Sequence, residues 1–276
     1  MRPNTNLVTS DWLNEHLNQP NLVVLYTQMD NPVTGEQDES PNAYIPNSQF
    51  FNFETEFCDL DSDLPHSMPN KTSFSEGVKK LGIDNESVIV IYDNKGMYCA
   101  PRVWWMFKAM GHQNVYVLNG GLPNWLQQKM PSVANLALAS KEGSFTANFD
   151  SRCFVTAETI IQQLDSLYVL DARSEGRFRG TQQEPRKGLR SGHIPTSINL
   201  PFTDCIEDMN LKSRGKLKTI FAELGVAGDR ELVFSCGSGV TACILALAAS
   251  EAGYKQLAVY DGSWCEWGAR TDLPIE

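Results

Sequence analysis

The amino-acid sequence predicts an α/β protein of two like-built domains, each a mainly parallel sheet flanked by helices. Three observations lead there. Four segments recur in the same order in both halves, at offsets of 142–149 residues. Short, β-branched, almost continuously apolar runs alternate with segments of helical spacing, the pattern of parallel strands covered on both faces. The 276 residues suffice for two domains of ordinary size.

In the first half, the runs LVVLY, VIVIY and VYVLN read as strands, and residues 72–83 (TSFSEGVKKLGI) read as a helix between two of them. The second half repeats the order. Residues 168–173 (YVLDAR) answer 23–28 (VVLYTQ), and 192–202 (GHIPTSINLPF) answer 43–53 (AYIPNSQFFNF). Residues 231–236 (ELVFSC) answer 88–93 (VIVIYD), and 259–267 (VYDGSWCEW) answer 117–125 (VLNGGLPNW). Helical spacing returns at 215–226 (GKLKTIFAELGV). So long a period denotes duplicated domains, because solenoid repeats are far shorter. Residues 131–152 are rich in Ser, Ala and Asn without a strong period and read as the connection. The expected domains are 1–135 and 151–276, with a linker at 136–150.

Composition narrows the function classes. Apolar residues make up 42% and charged residues 20%, as in a soluble globular protein. The opening residues MRPNTNLVTSDWL lack an apolar signal core, and no apolar run approaches a membrane span, so a cytoplasmic protein without membrane contact is expected. A net charge of −10 argues against non-specific nucleic-acid binding. The seven cysteines are odd in number and scattered, with no C-x-x-C. That argues against a disulfide framework or a zinc site and for a reducing compartment.

Residues 232–249 (LVFSCGSGVTACILALAA) carry the chemistry. An apolar strand stops at Cys236, a loop of Gly237, Ser238, Gly239, Val240 and Thr241 follows, and an Ala/Leu-rich helix begins. Ligands of open α/β sheets gather at the carboxyl ends of strands. Two glycines let the loop curl, so several N–H groups aim at one point, and the helix N-terminus adds partial positive charge. A sulfur nucleophile there is activated and its thiolate stabilised. Cysteines at strand ends are commonly inert packing residues; the Gly-x-Gly loop is what sets Cys236 apart. In the first half Asp93 stands at the matching place, and the following NKGMYCAPRVWW lacks the second glycine and the small residues. Chemistry is therefore expected in the second half alone.

A second cluster spans residues 171–195, with Arg173, Arg177, Arg179, Arg186, Lys187 and Arg190 set against Asp171, Glu175 and Glu184. Its local charge of +3, just past an apolar strand, suits an anionic substrate. Arg173, next to Asp171, is expected in an internal ion pair. Any of the others could equally be solvated.

Together these residues resemble the tandem rhodanese-type sulfurtransferases. The resemblance rests on DARSEGRFRG, SGHIPTSINLPF, CGSGVTACI and YDGSWCEW in the second half, and on APRVWWMFKAMGH and VLNGGLPNW in the first. The CGSGVT loop resembles the branch that uses 3-mercaptopyruvate. The thiosulfate-preferring branch carries bulky basic residues where this chain has Gly237 and Ser238. The resemblance implies attack by the Cys236 thiolate on the sulfur of a small anionic donor. A persulfide forms, cradled by the amides of Gly237, Gly239, Val240 and Thr241, and its outer sulfur passes to a thiol acceptor such as thioredoxin, or to cyanide. No metal or organic cofactor is implied. Arg177 and Arg186 match the family's two substrate arginines. Ser238 matches the loop serine of a proton relay, and His66, in DLPHSMP, matches its histidine. The family reads Asp-Ile-Asp where this chain has Asn52, Phe53 and Glu54, so Glu54 becomes the candidate acid. His193 and Trp104, Trp105, Trp125, Trp264 and Trp267 are expected to serve structure and packing.

Rival readings differ at named positions. A cysteine phosphatase needs an arginine six residues after its nucleophile, and that position is Ala242. Thiosulfate:cyanide transfer shares the fold and the nucleophile. A non-enzymatic persulfide carrier or interaction module would not need the intact loop and both arginines. A monomer is expected, because the tandem copies can pack on each other.

Overall fold

The computed structural model describes residues 3–31, 36–38, 41–226, 228 and 230–276. Two five-stranded parallel sheets are its frame. The first joins β1 (Leu7–Val8), β2 (Leu22–Thr27), β3 (Ser48–Phe50), β4 (Val88–Asp93) and β5 (Val115–Leu118) in the order β1-β5-β4-β2-β3. The second joins β6 (Phe154–Val155), β7 (Leu167–Asp171), β8 (Ile198–Asn199), β11 (Glu231–Ser235) and β12 (Leu257–Tyr260) in the order β6-β12-β11-β7-β8. Strand for strand this is the same topology, as the repeat predicts. The second half adds an antiparallel hairpin, β9 (Ile206–Glu207) with β10 (Asn210–Leu211). Its two-residue strands carry no sequence periodicity.

Equivalent helices start with equivalent caps. The Thr9 hydroxyl accepts from Trp12 N at the head of α1 (Ser10–His16), and Thr156 accepts from Thr159 N at the head of α5 (Ala157–Gln163). Asn70 caps α2 (Lys71–Lys80), and Ser213 caps α7 (Arg214–Glu223). Shorter helices, α4 (Gly121–Gln127), α6 (Glu175–Phe178) and α9 (Ser263–Trp267), follow β5, β7 and β12.

The domains meet through α3 (Ala100–Ala109) and α8 (Ala242–Ala252), which pack on each other. Both are apolar on nearly every face, which suits helices buried all round. Alanines of α8 leave room for the bulky side chains of α3. One hydrophobic cluster runs from Ile91 of the first sheet through Val103 and Leu245 to Phe234 of the second. The domain interface is thus built like a protein core, and it sets the first domain against the loop after β11. Residues 131–150 cross between the units with one bridge, Val133 to Tyr44, and with Phe145 buried against the first domain. Among the described residues no helix is long and apolar enough to cross a membrane.

Candidate active site

Cys236 directly follows β11, and the next turn of chain grips its backbone. Its N–H donates to Ser263 Oγ at 3.1 Å, and its carbonyl accepts from Trp264 N at 3.0 Å. Ser263 lies in the left-handed region at φ +49°, where the first domain has Gly121 at φ +50°. A serine holds that conformation at some cost, offset here by the bond from its hydroxyl to Tyr260 O and the one from Cys236 N.

The loop from Gly237 to Thr241 leads into α8. Among the described residues, the N–H groups of residues 237–242 make no hydrogen bond within the protein. The first domain contrasts with this. There the Asp93 carboxylate accepts from the N–H groups of Lys95, Tyr98, Cys99 and Ala100 at 2.8–3.0 Å. Asp93 thus fills the first loop with its own carboxylate, while the matching N–H groups after Cys236 have no such partner among the described residues.

The basic cluster separates into roles that spacing could not assign. Arg173 is buried in a pair with Asp171, its Nη2 2.6 Å from Oδ2, and it stacks on Trp264 with 4.0 Å to the ring centre. Its Nη1 donates to Glu184 Oε1 at 2.8 Å. The same carboxylate holds Arg177, whose Nη2 lies 2.6 Å from Oε2. Asp171, Arg173, Glu184 and Arg177 therefore form one buried ladder of alternating charge that ends at the cleft. Arg179 pairs with Glu175 at the surface. Arg190 donates to the carbonyls of Trp267, Gly268, Arg270 and Leu273. Lys187 is exposed. Arg177 and Arg186 both face Gly237: a Cβ there would lie 3.2 Å from Arg177 Nη2 and 3.9 Å from Arg186 Nη1. A side chain at this position would press on the tip of Arg177 and touch Arg186. Among the described residues Arg186 has no ion-pair partner, so the cleft keeps one uncompensated positive charge beside Cys236.

The structure brings Ser238, His66 and Glu54 into one chain. His66 Nδ1 lies 3.1 Å from Ser238 Oγ, and His66 Nε2 lies 3.2 Å from Glu54 Oε1. Phe51 and Phe53 bury their rings, which leaves the alternate positions outside the core. The Asn52 side chain accepts from the N–H of Glu54 and of Thr55, both at 3.2 Å. Asn52 thus makes the turn, and Glu54 supplies the carboxylate. Glu54 Oε2 is fixed in turn by Asp30 N at 2.9 Å.

Burial pushes the other six thiols up: Cys243 and Cys205 to about 12, Cys153 to about 11, and Cys58, Cys99 and Cys265 in the same direction. Among the seven cysteines, Cys236 is the one that directly follows β11 and opens the loop into α8. Trp104, Trp105, Trp125, Trp264 and Trp267 are buried, and His193 is held by Phe178 through its carbonyl and by ring stacking. Among the described residues no group of three His, Cys, Asp or Glu could hold a metal ion.

Sequence reasoning passed over four residues at this site. Glu184 counted only as charge, yet it orients Arg177. Tyr98 enters the cleft from the first domain; burial raises its hydroxyl pKa, with Cys236, Arg177 and Arg186 near enough to act on it. Arg102 and Asp261 form an ion pair across the domains at 2.7 Å. Their signal was an arginine inside the apolar APRVWW helix and an acid in YDGSW.

The rhodanese-like domain matches twice, at residues 9–128 and 156–270. The chain is 40% identical to 3-mercaptopyruvate sulfurtransferase of Mus musculus, covering 96% of this chain and 92% of the mouse protein. It is 39% identical to thiosulfate sulfurtransferase of Cricetulus griseus, covering 95% and 91%. The crystal structure of SseA, a 3-mercaptopyruvate sulfurtransferase of Escherichia coli, superposes with a TM-score of 0.84 at 31% identity, over 94% of this chain and 99% of SseA. With both halves matched, and with the same strand topology in each, the chain belongs to the rhodanese-like family as a tandem-domain member.

Proposed function

We propose that this protein is a sulfurtransferase that takes sulfur from 3-mercaptopyruvate through a Cys236 persulfide and releases pyruvate. The observation that carries this reading is the convergence of Arg177 and Arg186 on Gly237, beside the free amides that follow Cys236. Two guanidinium groups suit the carboxylate and carbonyl of an α-keto acid. Relatives named 3-mercaptopyruvate sulfurtransferase support the same donor.

In this reading the Cys236 thiolate attacks the donor sulfur. An S–S bond forms, the C–S bond breaks, and its electron pair passes to the methylene carbon as the enolate of pyruvate. Ser238, His66 and Glu54 take up the proton of the donor thiol and return it to that carbon. The loop amides and the N-terminus of α8 hold the persulfide charge. A thiol acceptor such as thioredoxin, or cyanide in an assay, removes the outer sulfur and restores the thiolate. The scattered, odd set of cysteines supports a reducing, cytoplasmic setting, and the core-like domain interface supports a monomer as the working unit.

Thiosulfate is the second donor to consider, because relatives named thiosulfate sulfurtransferase match almost as well. The test is kcat/KM for both donors with one acceptor, in the wild type and in Cys236→Ser. Preference for mercaptopyruvate and loss of both activities in the variant are expected. A preference for thiosulfate would overturn the donor assignment, and turnover by Cys236→Ser would overturn the mechanism.

A further inference from the structure

His66 approaches Ser238 from a backbone conformation that a histidine rarely adopts. Its φ is +62°, in the left-handed region. Such a residue persists only where its surroundings hold it. Two groups do so. Arg102 of α3 donates through Nη2 to the His66 carbonyl at 2.6 Å. Asp261, of the second domain, accepts through Oδ2 from Met68 N at 2.8 Å. Arg102 Nη1 and Asp261 Oδ1 then close on each other at 2.7 Å. One ion pair therefore grips the chain on both sides of residue 67, with one partner in each domain.

Arg102 has no exposed side-chain surface, a costly place for a guanidinium unless its contacts are used. It also lies under the cradle. A Cβ on Gly239 would sit 3.3 Å from Arg102 Nη1 and 2.9 Å from the Asp261 carbonyl. Cys243, at the start of α8, donates its thiol to Gly239 O at 3.2 Å, and Arg102 acts on that thiol as well. The Arg102 guanidinium also faces the Phe154 ring of β6 at 5.7 Å.

We propose that the Arg102–Asp261 pair is a positioning device that holds His66 in its left-handed conformation, so that the relay is assembled only when the two domains are packed together. The proposal rests on the sulfur-transfer reading. It makes a claim about donors which that reading does not contain. Mercaptopyruvate needs a proton moved from its thiol to the methylene carbon as the C–S bond breaks. Thiosulfate needs none: the Cys236 thiolate attacks its outer sulfur, an S–S bond forms to Cys236, the sulfur–sulfur bond of the donor breaks, and sulfite leaves with the electron pair. Loosening His66 therefore slows one donor and spares the other.

The test compares Arg102→Met, Arg102→Lys and Asp261→Asn with His66→Ala, each by kcat and KM for mercaptopyruvate and for thiosulfate with cyanide as acceptor. Expected is a fall in kcat for mercaptopyruvate of about tenfold or more in Arg102→Met, with KM little changed. Because Arg102 also packs under Gly239 of the loop both donors share, turnover of thiosulfate falls too, but several-fold less than that of mercaptopyruvate, and Arg102→Lys recovers part of the loss. If Arg102→Met does not fold, Arg102→Lys and Asp261→Asn carry the same comparison. Equal losses on both donors, or no loss on mercaptopyruvate while His66→Ala does lose it, overturn the proposal. An unchanged kcat for mercaptopyruvate in His66→Ala overturns the relay reading, and the proposal falls with it.

Discussion

Asp93 and Cys236 occupy the same place in the two sheets. Tyr26 pairs with Tyr92 in the first and Asp171 with Ser235 in the second, so the residues that follow, Asp93 and Cys236, are equivalent. Asp93 spends its carboxylate on the amides of its own loop, whereas Cys236 leaves them unbonded. The two positions should therefore respond in opposite ways. Asp93→Ala strands several buried N–H groups and should cost roughly 3 kcal/mol in urea unfolding. Cys236→Ser should change stability by less than about 1 kcal/mol while abolishing transfer. Equal stabilities of the two variants would contradict the cradle comparison.

Gly237 faces the tips of two arginines. Gly237→Ala puts a methyl group 3.2 Å from Arg177 Nη2, which Glu184 holds in place. The arginine must yield, and the donor loses its clamp. Steady-state kinetics should show KM for mercaptopyruvate raised about tenfold, with kcat changed far less.

Glu184 is shared by Arg173 and Arg177 inside the ladder. Glu184→Gln keeps the shape and removes the charge between two guanidinium groups. Breaking a buried pair this way costs about 3 kcal/mol. The variant should lose both stability, read by denaturant, and affinity for the anionic donor. A stable variant with an unchanged KM would show that the ladder does not position Arg177.

Thr196 stands at φ +63° and is exposed, and its counterpart Asn47 has the same φ. A β-branched residue is strained there, and glycine is not. Thr196→Gly keeps the bond from its N–H to Glu276 and should stabilise the protein by about 1 kcal/mol. Denaturant midpoints of the two proteins check this.

His112 is buried, with Nε2 3.0 Å from the Ser87 carbonyl, and burial lowers its pKa below the ordinary 6.5. The unfolded chain then binds the proton more readily than the folded one. This contribution to stability is complete above about pH 6.5 and is lost as the pH falls below it, by at most about 1.4 kcal/mol per pH unit. His112→Gln should flatten the stability profile below about pH 6.5 relative to the wild type.

The duplication, the α/β class, the main strands and the strand–loop–helix around Cys236 were legible in the sequence; the helices expected over 72–83 and 215–226 begin one residue earlier and end three residues sooner. The legible features depend on apolar period and small-residue turns, which act over a few neighbouring positions. The β9–β10 hairpin was not legible, because two-residue strands have no period to read. Among six basic residues, spacing could not tell Arg177 from Arg190: one ends a buried ladder at the cleft, and the other ties carbonyls together. The sequence by itself determined the fold and placed Cys236 at the end of its strand before a glycine-bearing loop. Only the tertiary structure decided that the Glu54 carboxylate meets His66, that His66 meets Ser238 across 172 residues of chain, and that Arg102 and Asp261 bond the chain on either side of Ser67. The reason is physical. Those contacts exist only once α3 and α8 have packed the two domains together, and no local pattern encodes the distance between groups on different domains.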